Sequence, residues 1–360
     1  MSTDLFSPTT LGFLELPNRI VMAPMTRSRA TADHVPTPIM AEYYAARADA
    51  GLIITEGVAP VANGVGYARI PGLYSDEQLA EWRKVTDAVH AKGGRIAVQI
   101  MHTGRVSHAA NMPEGTRILA PSAIALEGEM YTDAAGPQAY PVPEAMTEAD
   151  IEEAIAGNVK AAIAAVAVGF DMVEIHGANG YLIDQFISPN INQRTDGWGG
   201  DIKGRARFAL EVAKRTVEAI GAERTGIRLS PFGVFNGVVP WDEVEADFTW
   251  LAGELGKLKL AYLHIVDHSG MGAPAVPESV KVAMSEAFGG TVIRVGGYDR
   301  ASADADLAAG KADLIAFGRP FVSNPDLVKR LETGAELNAP DFNTFYTPGP
   351  KGYTDYPTLD

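Results

Sequence analysis

Short apolar runs alternate with longer stretches of helical period along this chain, and the alternation repeats eight times. The apolar runs fall at residues 19–23, 52–55, 95–100, 172–175, 225–229, 262–266, 291–295 and 314–317. They are nearly continuous in apolar character, as parallel strands covered by helices should be. Helical patterns occupy 39–50, 76–91, 148–168, 202–220, 242–258, 279–288, 301–309 and 324–332. Ser75 with Gln78, and Thr147 with Asp150, have the spacing of capping boxes, which marks two of the helix starts. Eight strand–helix units in a row predict a single (β/α)8 TIM barrel over residues 1–360 rather than an open doubly wound sheet.

One stretch breaks the rhythm. Residues 102–146, between the third strand and the third helix, are rich in Gly, Pro and Ala. A loop of this length carries function or small elements of its own. Leaving the carboxyl end of a strand, it is expected to lie over the catalytic face as a lid or hairpin. The tail, residues 344–360, is rich in Tyr and Pro and is expected to pack as irregular structure.

Composition then narrows the partners. A net charge of −15 argues against nucleic acid and anionic membrane. No apolar run is long enough to span a bilayer, and Met1-Ser2-Thr3-Asp4-Leu5 lacks the basic start and apolar core of a signal peptide. A cytoplasmic protein acting on small molecules, as monomer or homodimer, is the expectation. The absence of cysteine excludes disulfides, thiolate zinc sites, cysteine-ligated iron–sulfur clusters and a cysteine nucleophile.

Barrel active sites collect at the carboxyl ends of the strands, and there the apolar pattern gives way to polar residues. Thr26 follows the first strand in Ala23-Pro24-Met25-Thr26; Glu56 and Gly57 end the second, Gln99 the third and His176 the fourth. Arg228 lies near the end of the fifth, Asp267 and His268 follow the sixth, and Gly296-Gly297 and Gly318-Arg319 follow the seventh and eighth. His176 and Asn179 can both donate to one oxygen, and Tyr181 can donate a proton, a set that polarises a carbonyl and protonates the carbon beside it. Glycines with an arginine after the last two strands suit a phosphate, whether of a sugar phosphate or of a cofactor. Gln99 matches the donor–acceptor edge of a pyrimidine-like ring, and Arg228 would stabilise negative charge on it, so a flavin mononucleotide site is permitted.

Blander readings apply elsewhere. Glu174, His264 and Arg294 lie inside strands and are expected to form an internal structural network, because buried charges must pair. Asp267 and His268 lack a third ligand at matching spacing, so no metal is expected. Gly64-Val65-Gly66 does not follow a strand and open a helix, and reads as a loop. Met101, Met112 and Met130 read as packing.

These motifs resemble the old yellow enzyme family of FMN-dependent ene-reductases. Asn18 to Arg27 resembles its opening strand and Ile54-Thr55-Glu56-Gly57 its second. The block His176-Gly177-Ala178-Asn179-Gly180-Tyr181-Leu182, with Asp184-Gln185-Phe186 after it, is highly specific. So are Asn192-Gln193-Arg194-Thr195-Asp196, Arg228-Leu229-Ser230-Pro231-Phe232-Gly233, Phe317-Gly318-Arg319-Pro320 and Ser323-Asn324-Pro325-Asp326-Leu327. The resemblance implies tightly bound, non-covalent FMN, with NADPH or NADH as transient reductant. It implies that Thr26 tunes the flavin, that Pro24, Met25 and Gly57 contact its ring, and that Gln99 and Arg228 hold its pyrimidine edge. Gly296, Gly297, Gly318 and Arg319 would hold its phosphate.

The same resemblance makes His176 and Asn179 the ligands of the substrate oxygen and Tyr181 the proton donor, with Tyr67, Met101 and Tyr346 lining the substrate pocket. The implied substrates are α,β-unsaturated carbonyl or nitro compounds. The alternative within this chemistry is reductive denitration of nitrate esters or reduction of nitroaromatics. Relatives with an iron–sulfur cluster need cysteines and more chain, and another branch has a cysteine where Thr26 stands. The chain therefore resembles the branch containing bacterial reductases of N-ethylmaleimide and nitrate esters. A non-redox aldolase or isomerase acting on a sugar phosphate would fit the glycine–arginine end, but no lysine stands at a strand end to form a Schiff base.

Overall fold

The computed structural model describes residues 3–359; Met1 and Ser2, part of the amino-terminal segment read above for a leader, and Asp360 lie outside the described residues. Eight parallel strands close into a barrel: β1 Ile20–Met22, β2 Leu52–Val58, β3 Ile96–Ile100, β4 Met172–Gly177, β5 Thr225–Leu229, β6 Tyr262–Val266, β7 Val292–Val295 and β8 Leu314–Phe317. Around it run α1 Pro38–Ala45, α2 Asp76–His90, α3 Glu148–Ala167, α4 Arg207–Ile220, α5 Val244–Lys257, α6 Glu278–Phe288, α7 Arg300–Ala308 and α8 Leu327–Thr333. Both capping boxes form: Ser75 Oγ accepts from Gln78 N–H, and Thr147 Oγ1 from Asp150 N–H. No helix among the described residues is long and apolar enough to cross a membrane.

The strands read as continuous apolar runs because both of their faces are covered. Val21, Leu52, Ile54, Ala97, Met172, Tyr262, Ile293, Leu314 and Ala316 fill the barrel. Their neighbours, such as Ile53, Ile96, Val98, Val173 and Ile315, pack outward against helices. A hairpin that the sequence reading missed, Thr9–Leu11 with Leu14–Leu16, adds Leu11, Leu14 and Leu16 to the inner cluster. Toward the carboxyl ends the inward positions turn polar. Gln99 stands beside Glu174, His176 beside Arg228, and Arg228 beside His264.

This register corrects the expected internal network. Glu174 and His264 do pair (Nδ1 to Oε2, 2.8 Å), and Gln99 Nε2 donates to the other carboxylate oxygen at 2.7 Å. Arg294 is elsewhere: His264 lies beside Ile293, so Arg294 points out to the helix layer and binds Glu278 at 2.9 Å.

Element boundaries also move. The helix expected over 39–50 ends at Ala45, and buried Arg47 turns back to donate to the carbonyls of Tyr43, Phe321 and Val322. The helix expected over 202–220 is divided at Ala206 into Ile202–Arg205 and α4. A short helix, Arg319–Ser323, precedes α8, which starts beyond Pro325. Strand β2 runs to Val58, with a register shift between Ile54 and Gly57. The excursion carries a hairpin, Glu129–Thr132 with Gly136–Ala139, and a parallel pair, Leu119–Ala120 with Glu144–Ala145.

Close approach inside the barrel requires Gly226, because a Cβ there would lie 2.2 Å from the ring of Tyr262. The ring is fully enclosed and cannot swing away. Gly226→Ala is expected to destabilise the fold by about 2–3 kcal/mol, as overpacked cores do. The check is a lower midpoint in urea unfolding with an unchanged m value.

Candidate active site

After β4 the chain must reverse sharply. Asn179 and Gly180 both take the left-handed conformation, with φ of 61° and 72°. Asparagine tolerates this region; glycine is needed at 180, where a Cβ would lie 2.6 Å from the Phe235 carbonyl oxygen. The turn is fixed from several sides. Gly180 N–H donates to Asp184 (2.8 Å), Gln185 Nε2 donates to the carbonyls of Gly180 (2.7 Å) and Thr103 (3.0 Å), and Asn179 N–H donates to Ser230 Oγ (2.9 Å). Burial raises the Asp184 carboxyl to about 7. The result places His176, Asn179 and Tyr181 together on one cavity of about 410 Å³ at the carboxyl end of the barrel.

The protonation states follow from the surroundings. His176 is buried and stands beside Arg228, and both effects hold its pKa well below the usual imidazole value, so the ring is neutral. Its Nδ1 accepts from Ala178 N–H at 3.2 Å, which leaves the proton on Nε2 as a donor. Burial raises the Tyr181 phenol to about 12, so it keeps its proton. The Tyr181 ring meets His176 edge-on, with centroids 4.9 Å apart. Asn179 Oδ1 is taken by His268 Nε2 at 2.7 Å, so the amide NH2 is left for another acceptor.

Of the residues singled out in the sequence, Pro24, Met25, Thr26, Gly57, Gln99, Met101, His176, Asn179, Tyr181, Arg228, Gly296, Gly297, Gly318, Arg319 and Tyr346 all line this cavity. Tyr346 does so from the rim and is 61% exposed. Tyr67 is not among the residues lining it; its hydroxyl meets that of Tyr181 at 2.9 Å, and the two rings stand edge-on. No residue of 102–146 lines it either; Val106, Leu126 and Met130 pack against Tyr67 and Tyr181 from outside.

Several lining residues went unassigned in the sequence. Asp267 and His268, weighed there only as metal ligands, have other partners. Burial would raise the Asp267 carboxyl, yet Lys281 at 2.7 Å and Ser269 hold it below the usual range. Phe345 comes, like the already assigned Tyr346, from the tail, which is tied down by two arginines just past Thr26. Arg27 Nε and Arg29 donate to the Phe345 carbonyl (3.1 and 2.7 Å), Arg27 also to that of Gly352 (2.8 Å), and Arg29 to that of Thr344 (2.8 Å). Two basic residues at this spacing were the one hint of that clamp.

The cavity also holds groups in want of a ligand. Arg228 is buried, and its Nε has no partner among the described residues. A buried cation so placed calls for an acceptor from the cavity. Across the barrel from β4, Arg319 opens the helix after β8 and pairs with no carboxylate among the described residues. It sits with Gly296, Gly297 and Gly318 at the end suited to a phosphate. A flat ring with a hydrogen-bonding edge over Gln99 and Arg228, and an anionic tail toward Arg319, would satisfy both ends.

Residues 4–338 match the profile of the NADH:flavin oxidoreductase / NADH oxidase family. The chain is 46% identical to chanoclavine-I aldehyde reductase of Penicillium roqueforti, covering 98% of this chain and 96% of that protein. It is 41% identical to a probable flavin mononucleotide-dependent alkene reductase of Leishmania infantum, covering 99% and 97%. Among solved structures, morphinone reductase superposes with a TM-score of 0.95 at 46% identity, covering 100% of this chain and 97% of that one.

Proposed function

The chain belongs to the NADH:flavin oxidoreductase / NADH oxidase family, that of the old yellow enzyme, and from that premise we propose that it is an FMN-dependent ene-reductase that draws its hydride from NADPH or NADH. The substrates on this reading are alkenes activated by a carbonyl or nitro group. The observation that carries it is the convergence of two neutral donors, His176 Nε2–H and Asn179 Nδ2–H, with a protonated Tyr181 on a cavity that also holds Arg228, whose Nε has no partner among the described residues. Names of the relatives point the same way, one being a probable alkene reductase.

The chemistry FMN supplies when bound is hydride transfer, received from reduced nicotinamide and passed to the β-carbon of the alkene. Gln99 and Arg228 would hold its pyrimidine edge, Pro24, Met25, Thr26 and Gly57 the rest of the ring, and Gly296, Gly297, Gly318 and Arg319 its phosphate. His176 and Asn179 then bind the oxygen of the activating group. As charge builds there, both donors strengthen, and neither has to reorganise. Tyr181 gives its proton to the α-carbon. Because reductant and alkene share one mouth, they bind in turn. The tail residues Phe345 and Tyr346 and the side chain of Met101 bound that mouth and shape what enters it.

The test is the visible spectrum of the purified protein, repeated anaerobically with NADPH and then with cyclohexenone. A yellow band that bleaches with NADPH and returns with the enone is the expected result. A colourless protein that FMN does not reconstitute overturns the reading.

A further inference from the structure

Asn179 is held at its main chain but free at its amide unless something fixes the last torsion. Its N–H donates to Ser230 Oγ at 2.9 Å, and its carbonyl accepts from Asn236 Nδ2 at 2.7 Å. Those bonds set where the side chain starts, not which end of the amide faces the cavity. An amide turned over would present an acceptor, and a carbonyl or nitro oxygen would meet it lone pair to lone pair. The group that decides is His268, from the loop after β6. Its Nε2 lies 2.7 Å from Asn179 Oδ1, and its ring is braced edge-on by Phe235, with centroids 4.6 Å apart.

We propose that His268 is a positioning residue: it donates from Nε2 to Asn179 Oδ1 and so locks the Asn179 amide with its NH2 toward the cavity, making this side of the site a reader of oxygen acceptors. The inference rests on the reading of Asn179 as an oxygen-binding donor. With Oδ1 turned toward it, as here, the neutral His268 ring carries its proton on Nε2. The ring is neutral because burial, with Arg228 next, lowers its pKa to about 4. Nε2 bears its proton in this neutral tautomer and in the imidazolium alike, so the donation to Oδ1 does not depend on pH. Nothing in the proposal requires His268 to touch substrate.

The test is a double-mutant cycle on binding of 4-nitrophenolate, a stable oxyanion, to the holoenzyme at alkaline pH, followed by the absorbance of the ligand. His268→Leu is expected to weaken binding about tenfold, the size of one net hydrogen bond. His268→Gln, which can still donate to Oδ1, is expected to restore it to within about threefold. In an Asn179→Ala background, His268→Leu is expected to change nothing further, because its effect passes through the missing amide. An equal loss in both backgrounds overturns the proposal, as does unchanged binding in His268→Leu or no binding to the unmutated protein. The Gln variant guards against a folding defect in the Leu variant. The NADPH and enone spectra separate the two readings: a cycle that couples in a protein without flavin turnover keeps His268 and removes the ene-reductase assignment, and the converse result does the reverse.

Discussion

Replacing Tyr181 by Phe is expected to slow turnover of an α,β-unsaturated ketone by about 10²–10⁴-fold, the usual contribution of a placed proton donor, while the anaerobic bleaching of the bound flavin by NADPH proceeds as before. The two half-reactions differ because only the second needs a proton at carbon. Phe keeps the edge contact with His176, whose ring lies 4.9 Å away, so the binding of the oxygen should survive. The pH profile is a further check. A phenol raised to about 12 stays protonated through the working range, so any alkaline fall in the unmutated enzyme's rate below that value must come from another group. Nitrate esters, whose reduction needs no proton delivered to carbon, should lose much less. Stopped-flow measurement of each half-reaction decides the matter, and equal slowing of both would remove Tyr181 from the role of proton donor.

How much of this was legible beforehand depended on whether the information was local. The eight strands were readable because a barrel strand is covered on both faces and shows as an unbroken apolar run. Their polar ends were readable for the same reason, as interruptions of that run. Arg294 was misread because sequence gives a strand its alternation but not its phase. Only pairing of His264 with Ile293 shows that Arg294 faces the helices and meets Glu278. The hairpin ending in Leu14 and Leu16 was overlooked although Leu11, Leu14 and Leu16 bury a single face, since three-residue strands give too short a pattern.

The site divides along the same line. His176, Asn179 and Tyr181 lie within one turn, so their convergence was visible in the sequence itself. Residues whose role depends on a distant partner were not. His268 acts on Asn179 across 89 positions, and Arg29 reaches Phe345 across 316. Tyr67 was expected in the pocket wall, and what the structure shows of it is a hydroxyl bonded to that of Tyr181 across 114 positions. Tertiary hydrogen bonds of this kind leave no periodic trace.

Asn179→Asp is the second large effect expected. The exchange preserves shape and the left-handed backbone at φ 61°, which Asp tolerates as Asn does. It removes the amide NH2 and sets a carboxylate against the oxygen on which negative charge develops. Loss of one donor from such a site slows the chemical step by about 10²–10³-fold, and the added repulsion should carry the effect to the upper end of that range. The sign with pH is distinctive. Below the pKa of the new carboxyl, its protonated form regains an O–H donor, so the rate of the variant should recover on acidification. The unmutated enzyme has no reason to do so, because neither Asn179 nor the neutral His176 gains a donor there. Neighbouring His268 would hold its proton to higher pH beside the new carboxylate than the value of about 4 it has beside the amide. Single-turnover rates of enone reduction across acidic pH measure the recovery. A variant whose rate stays flat, or that matches the unmutated enzyme, would show that Asn179 does not bind the developing oxyanion.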